Sequence, residues 1–510
     1  MAQRKGITSG TTAQRSVEEA GKIRFNTTTS LLEYYDGTQW KAIDAPPVVS
    51  SIDVTDVDSS AGGNQTFVIT GSGFSATIQE VKFIPDSGSS ITASSVTRNS
   101  ATQITAVAAR SSFVNANEPY DVTVTNSSGL SGTLADQVNV DTAPVWQTAS
   151  GSLGLLFNNN LTGASFTVAA HDAESDAITY TLQSGSIPSG LSLSSTSSGA
   201  VISGNATAVG SNTTSTFTLR ATAGSKTSDR QYTITVYAPV YTSFTSSGTF
   251  SVPTGLTTVN VLVVAGGGAG GIHHAGGGGA GGLIYRPGFP ITPGTPISVT
   301  VGDGASPEPS PGPTPHGGTR GDNGQDSVFS TLTAKGGGGG GSSGPESGEG
   351  KPGGSGGGGD GPNPGTSGGS ATQPNQSGDS GNYGFGNSGG GGNTGPQGGG
   401  GGGAGGAGQT SGSAGPNVGA GGTGRAYTIA DGSSPVYYAG GGGGGAYQAP
   451  GQGGTAGQGG GGRGSSTSPP GNPVAQPATS GSANRGGGGG GSDRGVPSGS
   501  GGKGIVIVSY

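Results

Sequence analysis

Three carboxylates alternate along one short stretch, Asp172, Glu174 and Asp176, and that spacing suits a hard, oxygen-seeking cation such as calcium. A complete site needs more oxygens than three side chains supply, and Asp141 is the one other carboxylate the sequence offers from a linker. Solvated loop carboxylates are the competing reading. His171 beside them has no Cys or His companion at metal spacing and reads as a loop residue. Catalytic material is otherwise thin. The chain has four histidines and no cysteine, and serine is too abundant for a Ser-His-Asp set to be read from spacing. Gly348-Glu349-Gly350-Lys351 starts like a phosphate loop, but Pro352 stands where Ser or Thr is required. The expectation is a chain that is not an enzyme. His273, His274, Tyr383, Phe385, Tyr437, Tyr438 and Tyr447 stand out because rings in side-chain-poor surroundings give stacking area for a sugar or a protein. The same rings would equally serve to plug gaps between glycine layers.

Composition bounds what can position these groups. A chain of 510 residues exceeds one hydrophobic core, so several modules are expected. Glycine numbers 114 and charged residues make up only 10%, which leaves small cores. The net charge of -7 comes without any Lys/Arg cluster to neutralise a phosphate backbone, so nucleic acid is not an expected partner. Without cysteine, small domains must rely on packing, sheet pairing or oligomerisation. The first residues lack an apolar leader and no run approaches the ~18 to 20 apolar residues of a spanning helix, so neither conventional secretion nor membrane insertion is expected.

The elements read as all-β. Residues 1–46 carry β-favouring runs at 22–26, 31–35 and 39–43, with Asp36-Gly37 as a tight turn, the pattern of a meander. So few residues bury no core of their own, since ordering each costs about 1–2 kcal/mol of backbone entropy. The unit is therefore expected to dock or trimerise. Phe25, Tyr35 and Trp40 form its small core or, together with Tyr34, its attachment surface. Pro46-Pro47 is a stiff joint, and residues 47–142 then alternate in seven short runs, the pattern of a β-sandwich. Asp141-Thr142-Ala143-Pro144 repeats the joint, and residues 143–238 form a second sandwich marked by Trp146 and its Gly-bearing turns.

In residues 239–510 the composition changes. Only 22 glycines lie in residues 1–265 and 92 lie beyond. Glycine and serine without apolar content would make a flexible linker. Here the block is bracketed by TVNVLVV at 258–264 and IVIVSY at 505–510, and the apolar segments LIYRPGFPI, ISVTVGDGA and SPVYYAG recur inside. The closing strand is expected to pair with the opening one. Collagen periodicity is absent, but glycine runs can form extended helices of three residues per turn, like polyproline II, and pack as a slab if nearly every N–H and C=O is satisfied.

Four stretches resemble known families. GKIRFNTTTSLLEYYDGTQWKAI resembles a short repeat of structural fibre proteins of tailed bacteriophages, carried by Phe25, Asn26, Tyr34, Tyr35, Asp36, Gly37 and Trp40. FVITGSGFSATIQEVKF, ITAVAA and YDVTVTNSSGLSG resemble the IPT/TIG immunoglobulin-like branch, in which the turn at Gly71 and Gly73 before Phe74 shapes a bend. FTVAAHDAESDAITYTLQSGSIPSGLSLSSTSSGAVISGNAT resembles putative-Ig, cadherin-like modules; cadherins also use linker carboxylates for calcium, and Asp141 is the candidate for that role. Residues 241–510 resemble the glycine-rich domain at the C-termini of phage fibres and adhesins. Together these resemblances imply a fibre on the virion surface, most concretely a tail fibre or adhesin. Residues 1–46 would attach to other virion structural proteins and the sandwiches would act as spacers. The tip would touch a host surface glycan or outer-membrane protein through loops at 272–275, 307–316, 382–387 and 436–448. A head-surface or baseplate decoration fibre is the alternative. A homotrimer is expected of either.

Overall fold

Period-two alternation of apolar and polar residues builds strands through most of the chain, and helix is confined to Asp379–Asn382 and four 3-10 turns among the described residues. The computed structural model describes residues 7–15, 19–28, 31–43, 45–309, 318–343, 348–362, 366–393, 395–412, 418–447, 453–467, 476–494 and 496–510. No helix among them is long and apolar enough to cross a membrane. The chain divides into two compact units, one of residues 1–153, 164–204 and 215–234 and the other of residues 154–163, 205–214 and 235–510.

The first unit begins with a four-stranded sheet, Thr8–Gly10, Ile23–Asn26, Leu31–Tyr35 and Trp40–Ile43 in that order, with Thr8–Gly10 parallel to its neighbour. Its faces are inverted relative to an ordinary half-buried sheet. Arg24, Asn26, Glu33 and Tyr35 are buried, whereas Ile23, Phe25, Leu32, Tyr34 and Ile43 lie exposed on the other face. The polar side is largely paired. Arg24 donates to the carbonyls of Thr11 and Gln14 at 3.0 Å each, and Glu33 accepts from Arg15 and Asn26. Burial pushes the Glu33 carboxyl up, but those hydrogen bonds and the Arg15 and Arg24 charges outweigh it and hold it below the usual range.

The first sandwich pairs Ser95–Ser100, Gln103–Ala109, Asn64–Ser72 and Val48–Ile52 in one sheet. The facing sheet runs Asp56–Val57, Ser131–Val140, Tyr120–Asn126, Ile78–Pro85 and Ile91–Thr92. Phe67, Phe83, Phe113 and Tyr120 fill its core, with the Phe67 and Phe83 rings 4.5 Å apart. Gly71 is required by close approach, since a Cβ there would stand 2.0 Å from the Val48 carbonyl, and Gly73 by its φ of +72°. Phe74 beyond them is buried. The second sandwich centres on Trp146, whose ring lies 5.7 Å from both Tyr180 and Tyr232.

In the second unit, the closing strand Ile505–Ser509 lies between Tyr241–Phe244 and Thr258–Val264, antiparallel to both, with Val264 opposite Ile505. Leu283–Pro290 and Gly384–Phe385 complete this five-stranded sheet. One face, with Val261, Val263, Val506 and Val508, packs with Phe250 and Phe329 of a second sheet. The other face, with Leu262, Ile505 and Ile507, packs on Ala280, Ala404 and Ala439 at the edge of the glycine runs.

Those runs are neither strands nor coil. Gly266, Ala269 and Ile272 donate to the carbonyls of Gln325, Asp322 and Thr319, at 2.9–3.1 Å. Gly267 and Gly270 donate to Gly502 and Gly499, and Gly268 and Gly271 to Gly279 and Gly276. Each run thus addresses a different neighbour with every successive residue and returns to the same one after three, the period of a polyproline-II-like helix. The partner numbers fall by three where runs are antiparallel. They rise by three where runs are parallel, as in Gly277 to Gly399 and Ala280 to Gly402. Backbones approach too closely for side chains: a Cβ on Gly278 would lie 2.1 Å from the Gly268 carbonyl, and one on Gly442 2.0 Å from that of Gly489.

Candidate functional site

The rings singled out in the glycine-rich half fall into three places. His273 and His274, at φ of +75° and +55°, turn the chain at the end of the run that begins at Gly266. They are 8% and 4% exposed. His274 Nδ1 stands 3.0 Å from the buried Asp493 carboxylate and its ring lies edge-on to Tyr447 at 5.2 Å, while Ser343 bonds His273. Tyr438, 3% exposed, belongs to the core under the central sheet, and burial pushes its phenol up. Tyr383 and Phe385 remain half-buried at the sheet edge formed by Gly384–Phe385. The Arg286 guanidinium covers Tyr383 at 4.5 Å and the Arg425 guanidinium covers Phe385 at 3.7 Å. Tyr437 and Tyr447 are also half-buried.

His273, His274 and Tyr438 are thus buried rather than offered for contact: Tyr438 fills space under the central sheet, and the two imidazoles pack with Ser343, Asp493 and Tyr447, supplying volume that glycine lacks. Tyr383 and Phe385, with their arginines, are the rings the structure brings together at an edge. Residues 310–316 of the loop expected at 307–316, and Gln448 of that at 436–448, lie outside the described residues.

In the N-terminal sheet the expected aromatics separate by face. Tyr35 is buried with its ring 5.6 Å from Trp40, and the Arg24 guanidinium lies 5.5 Å from the Trp40 ring. Phe25 is 37% exposed and so is no part of a core; with Tyr34 it belongs to the outward apolar face. The strand residues Ile23 and Tyr34 are directly opposed, as are Phe25 and Leu32, so this face is continuous.

The acidic loop is organised around the linker. Asp172, 3% exposed, accepts from the Asp176 amide at 3.0 Å, and Ser175 at φ +66° reverses the chain between them. Glu174 turns to Thr142, accepting from its hydroxyl at 2.9 Å and its amide at 3.3 Å. Asp176 is exposed. Among the described residues no group of three or more His, Asp or Glu side chains could hold a metal ion, so Asp172, Glu174 and Asp176 do not gather around one point as they stand.

Comparison with known families begins from the glycine lattice. Residues 242–510 match the model of the glycine-rich domain. The chain belongs to that glycine-rich domain family. Within this family member, residues 147–237 also match the Putative Ig domain, in agreement with the second sandwich. No curated protein matches the chain. Similar solved structures include the I-band fragment I67-I69 from titin, 14% identical over 51% of this chain and 79% of that one, at a TM-score of 0.27. They also include the endo-fucoidan hydrolase MfFcnA4 from glycoside hydrolase family 107, 15% identical over 44% of this chain and 37% of that one, at a TM-score of 0.18. At such scores nothing of their activity transfers.

Membership in the glycine-rich family leaves the site residues to be read from the geometry, which adds several that spacing did not suggest. Arg286, Arg425, Arg485 and Arg494 each cover an aromatic ring, and Asp493 meets His274. Glu118 comes next to the linker residue Asp141 that the sequence had marked, for it accepts from the Val140 amide. Isolated arginines and single acids in a low-charge sequence carry no pattern that would have marked them.

Proposed function

We propose that this chain is a non-enzymatic structural fibre protein of a bacteriophage virion, most concretely a tail fibre or adhesin that meets the host surface with its glycine-rich domain. The observation that carries the reading is the three-residue hydrogen-bond lattice, closed by strand Ile505–Ser509. A domain whose order comes from backbone pairing is rigid at little side-chain cost and leaves the turns between runs free to carry recognition residues. The continuous apolar face of Ile23, Phe25, Leu32, Tyr34 and Ile43 supports attachment of the N-terminal sheet to another virion protein or to copies in a homotrimer. The sandwiches serve as spacers.

One observation favours decoration of the head or baseplate instead: three of the seven rings expected to meet a receptor are buried. Gold-labelled antibody against residues 239–510 on intact particles separates the two. Label at the distal end of tail fibres, with binding of the full-length protein to host cells, supports the adhesin reading; label on the capsid without host binding overturns it.

A further inference from the structure

The hairpin of Arg425–Tyr427 and Val436–Tyr438 and the edge strand Gly384–Phe385 bring their rings together on one face of the five-stranded sheet. Phe385, Tyr285 and Tyr427 pack, half-buried, on the core that holds Leu262, Ile505 and Ile507. The Tyr285 and Tyr427 rings lie 4.6 Å apart, and Arg425 Cζ stands 3.7 Å from the centre of the Phe385 ring. Stacking of this kind holds the plane of a guanidinium without consuming its N–H donors. The same guanidinium acts on the Tyr427 phenol through its charge and by hydrogen bonding.

Arg425 lacks what its neighbours have. Arg286, Lys335, Lys351 and Lys503 of the same half each pair with an aspartate at 2.7–3.1 Å, whereas Arg425 pairs with no carboxylate among the described residues. Arg286 covers Tyr383 much as Arg425 covers Phe385, but Asp379 neutralises it. Asp431, in the turn of the Arg425 hairpin, accepts instead from the Ser433 and Ser434 amides at 2.8 Å each. Arg485 adds positive charge, since it covers Tyr438, the residue opposite Arg425. A half-buried guanidinium without a counter-charge keeps a fork of donors that matches a carboxylate. Burial pushes the Tyr285 and Tyr427 phenols up, so both stay protonated and able to donate. Of the exposed large apolar side chains among the described residues, only Tyr241 belongs to the glycine-rich half, too little for the apolar centre of a protein interface. A fixed guanidinium edged by phenols, with little exposed hydrocarbon, suits a carboxylated sugar.

We propose that Arg425, held on Phe385 and flanked by Tyr427 and, beyond it, Tyr285, is a binding site for the carboxylate of an acidic glycan of the uronic acid class. The inference rests on the adhesin reading for where such a glycan is met, and deepens it by naming the ligand. Binding itself belongs to the folded glycine-rich half. The sugar carboxylate supplies to Arg425 the counter-charge that Asp379 supplies to Arg286, and sugar hydroxyls exchange hydrogen bonds with the phenols. Lysine does not replace the arginine, because an ammonium cannot lie flat on Phe385 and present parallel donors.

Calorimetric titration of the full-length protein with trigalacturonic acid, its methyl ester and a hexaglutamate peptide tests this. Trigalacturonic acid should bind, and the ester, which keeps the sugar rings but loses the charge, should bind at least about tenfold more weakly. Arg425→Gln should weaken binding of the acid at least about tenfold, and Arg425→Lys nearly as much. Arg220→Gln, which removes an equal charge from an ion pair of the second sandwich, should leave it unchanged. The proposal is overturned if neither sugar binds, if acid and ester bind alike, or if Arg425→Gln with an unaltered glycine-rich unfolding transition binds the acid fully. The ester comparison uses the unaltered protein, so it decides even where the variant does not fold. Hexaglutamate binding as tightly as the sugar acid overturns the glycan assignment in favour of a protein carboxylate. The two readings fail separately: no binding of the sugar acid with host-cell binding retained sinks this site alone, and sugar-acid binding without host-cell binding sinks the adhesin reading alone.

Discussion

The first immunoglobulin-like module and the glycine-rich slab reach order by opposite means. In the module, Phe67, Phe83, Phe113 and Tyr120 supply the stabilisation, and glycine appears where a turn or a close approach demands it, as at Gly71 and Gly73. In the slab side chains are nearly absent, and order comes from N–H···O=C pairs that each run distributes over several neighbours. Glycine loses more conformational freedom on folding than any other residue, so the slab depends on backbone pairing, and each amide of the runs 266–271, 336–341, 398–403 and 440–445 has an acceptor. The consequence is that the two regions fail differently: the module is harmed by removing volume, the slab by adding it.

The largest effect should come from deleting residues 505–510. Ile505–Ser509 pairs with two strands and contributes Val506, Val508, Ile505 and Ile507 to the packing on both faces of the central sheet. The glycine-rich half should lose its protease resistance entirely, with the unfolding of the first module unchanged. Gly278→Val comes next, because its Cβ would meet the Gly268 carbonyl at 2.1 Å and backbone cannot yield as a side chain can. We expect a loss exceeding about 3 kcal/mol in the glycine-rich transition of a calorimetric scan. In the module the reverse substitution is the damaging one: Phe113→Ala should cost about 3–5 kcal/mol by denaturant unfolding and spare the slab.

A smaller response belongs to the N-terminal sheet. Because Glu33 is held below its ordinary value of 4.5, its stabilisation is present above that value and is lost as the pH falls through the lowered one. Acid should therefore loosen the sheet around Trp40, seen in its fluorescence, and Glu33→Gln should abolish the response. The smallest effect is expected of Gly210→Ala, where a Cβ would meet nothing within 4 Å; stability should change by no more than about 0.5 kcal/mol, showing that glycine as such is not the sensitive feature.

What the sequence made legible follows from these mechanisms. Apolar runs at 258–264 and 505–510 announced the pair that closes the glycine-rich half, and they are paired, because a buried strand shows itself in composition alone. Tandem sandwiches were legible from alternation and turn residues. The face of the N-terminal sheet was not: Ile23-Arg24-Phe25-Asn26 alternates, but a period of two does not say which side is inward, and here ion pairs and carbonyls hold Arg24 and Glu33 inside. The burial of His273, His274 and Tyr438 was equally hidden, since glycine runs are alike and their pairing partners lie far away in sequence. The approach of Glu118 to the linker was hidden as well, since its partner is the amide of Val140, 22 residues further on.

The central claim is that the glycine runs form a hydrogen-bonded lattice rather than a linker, and amide hydrogen exchange over residues 266–271, 336–341, 398–403 and 440–445 tests it most directly. The account expects strong protection throughout these runs, lost together in one cooperative step with the strand Ile505–Ser509. Exchange of those glycine amides at the rate of an unstructured peptide, while the strands stay protected, would contradict it.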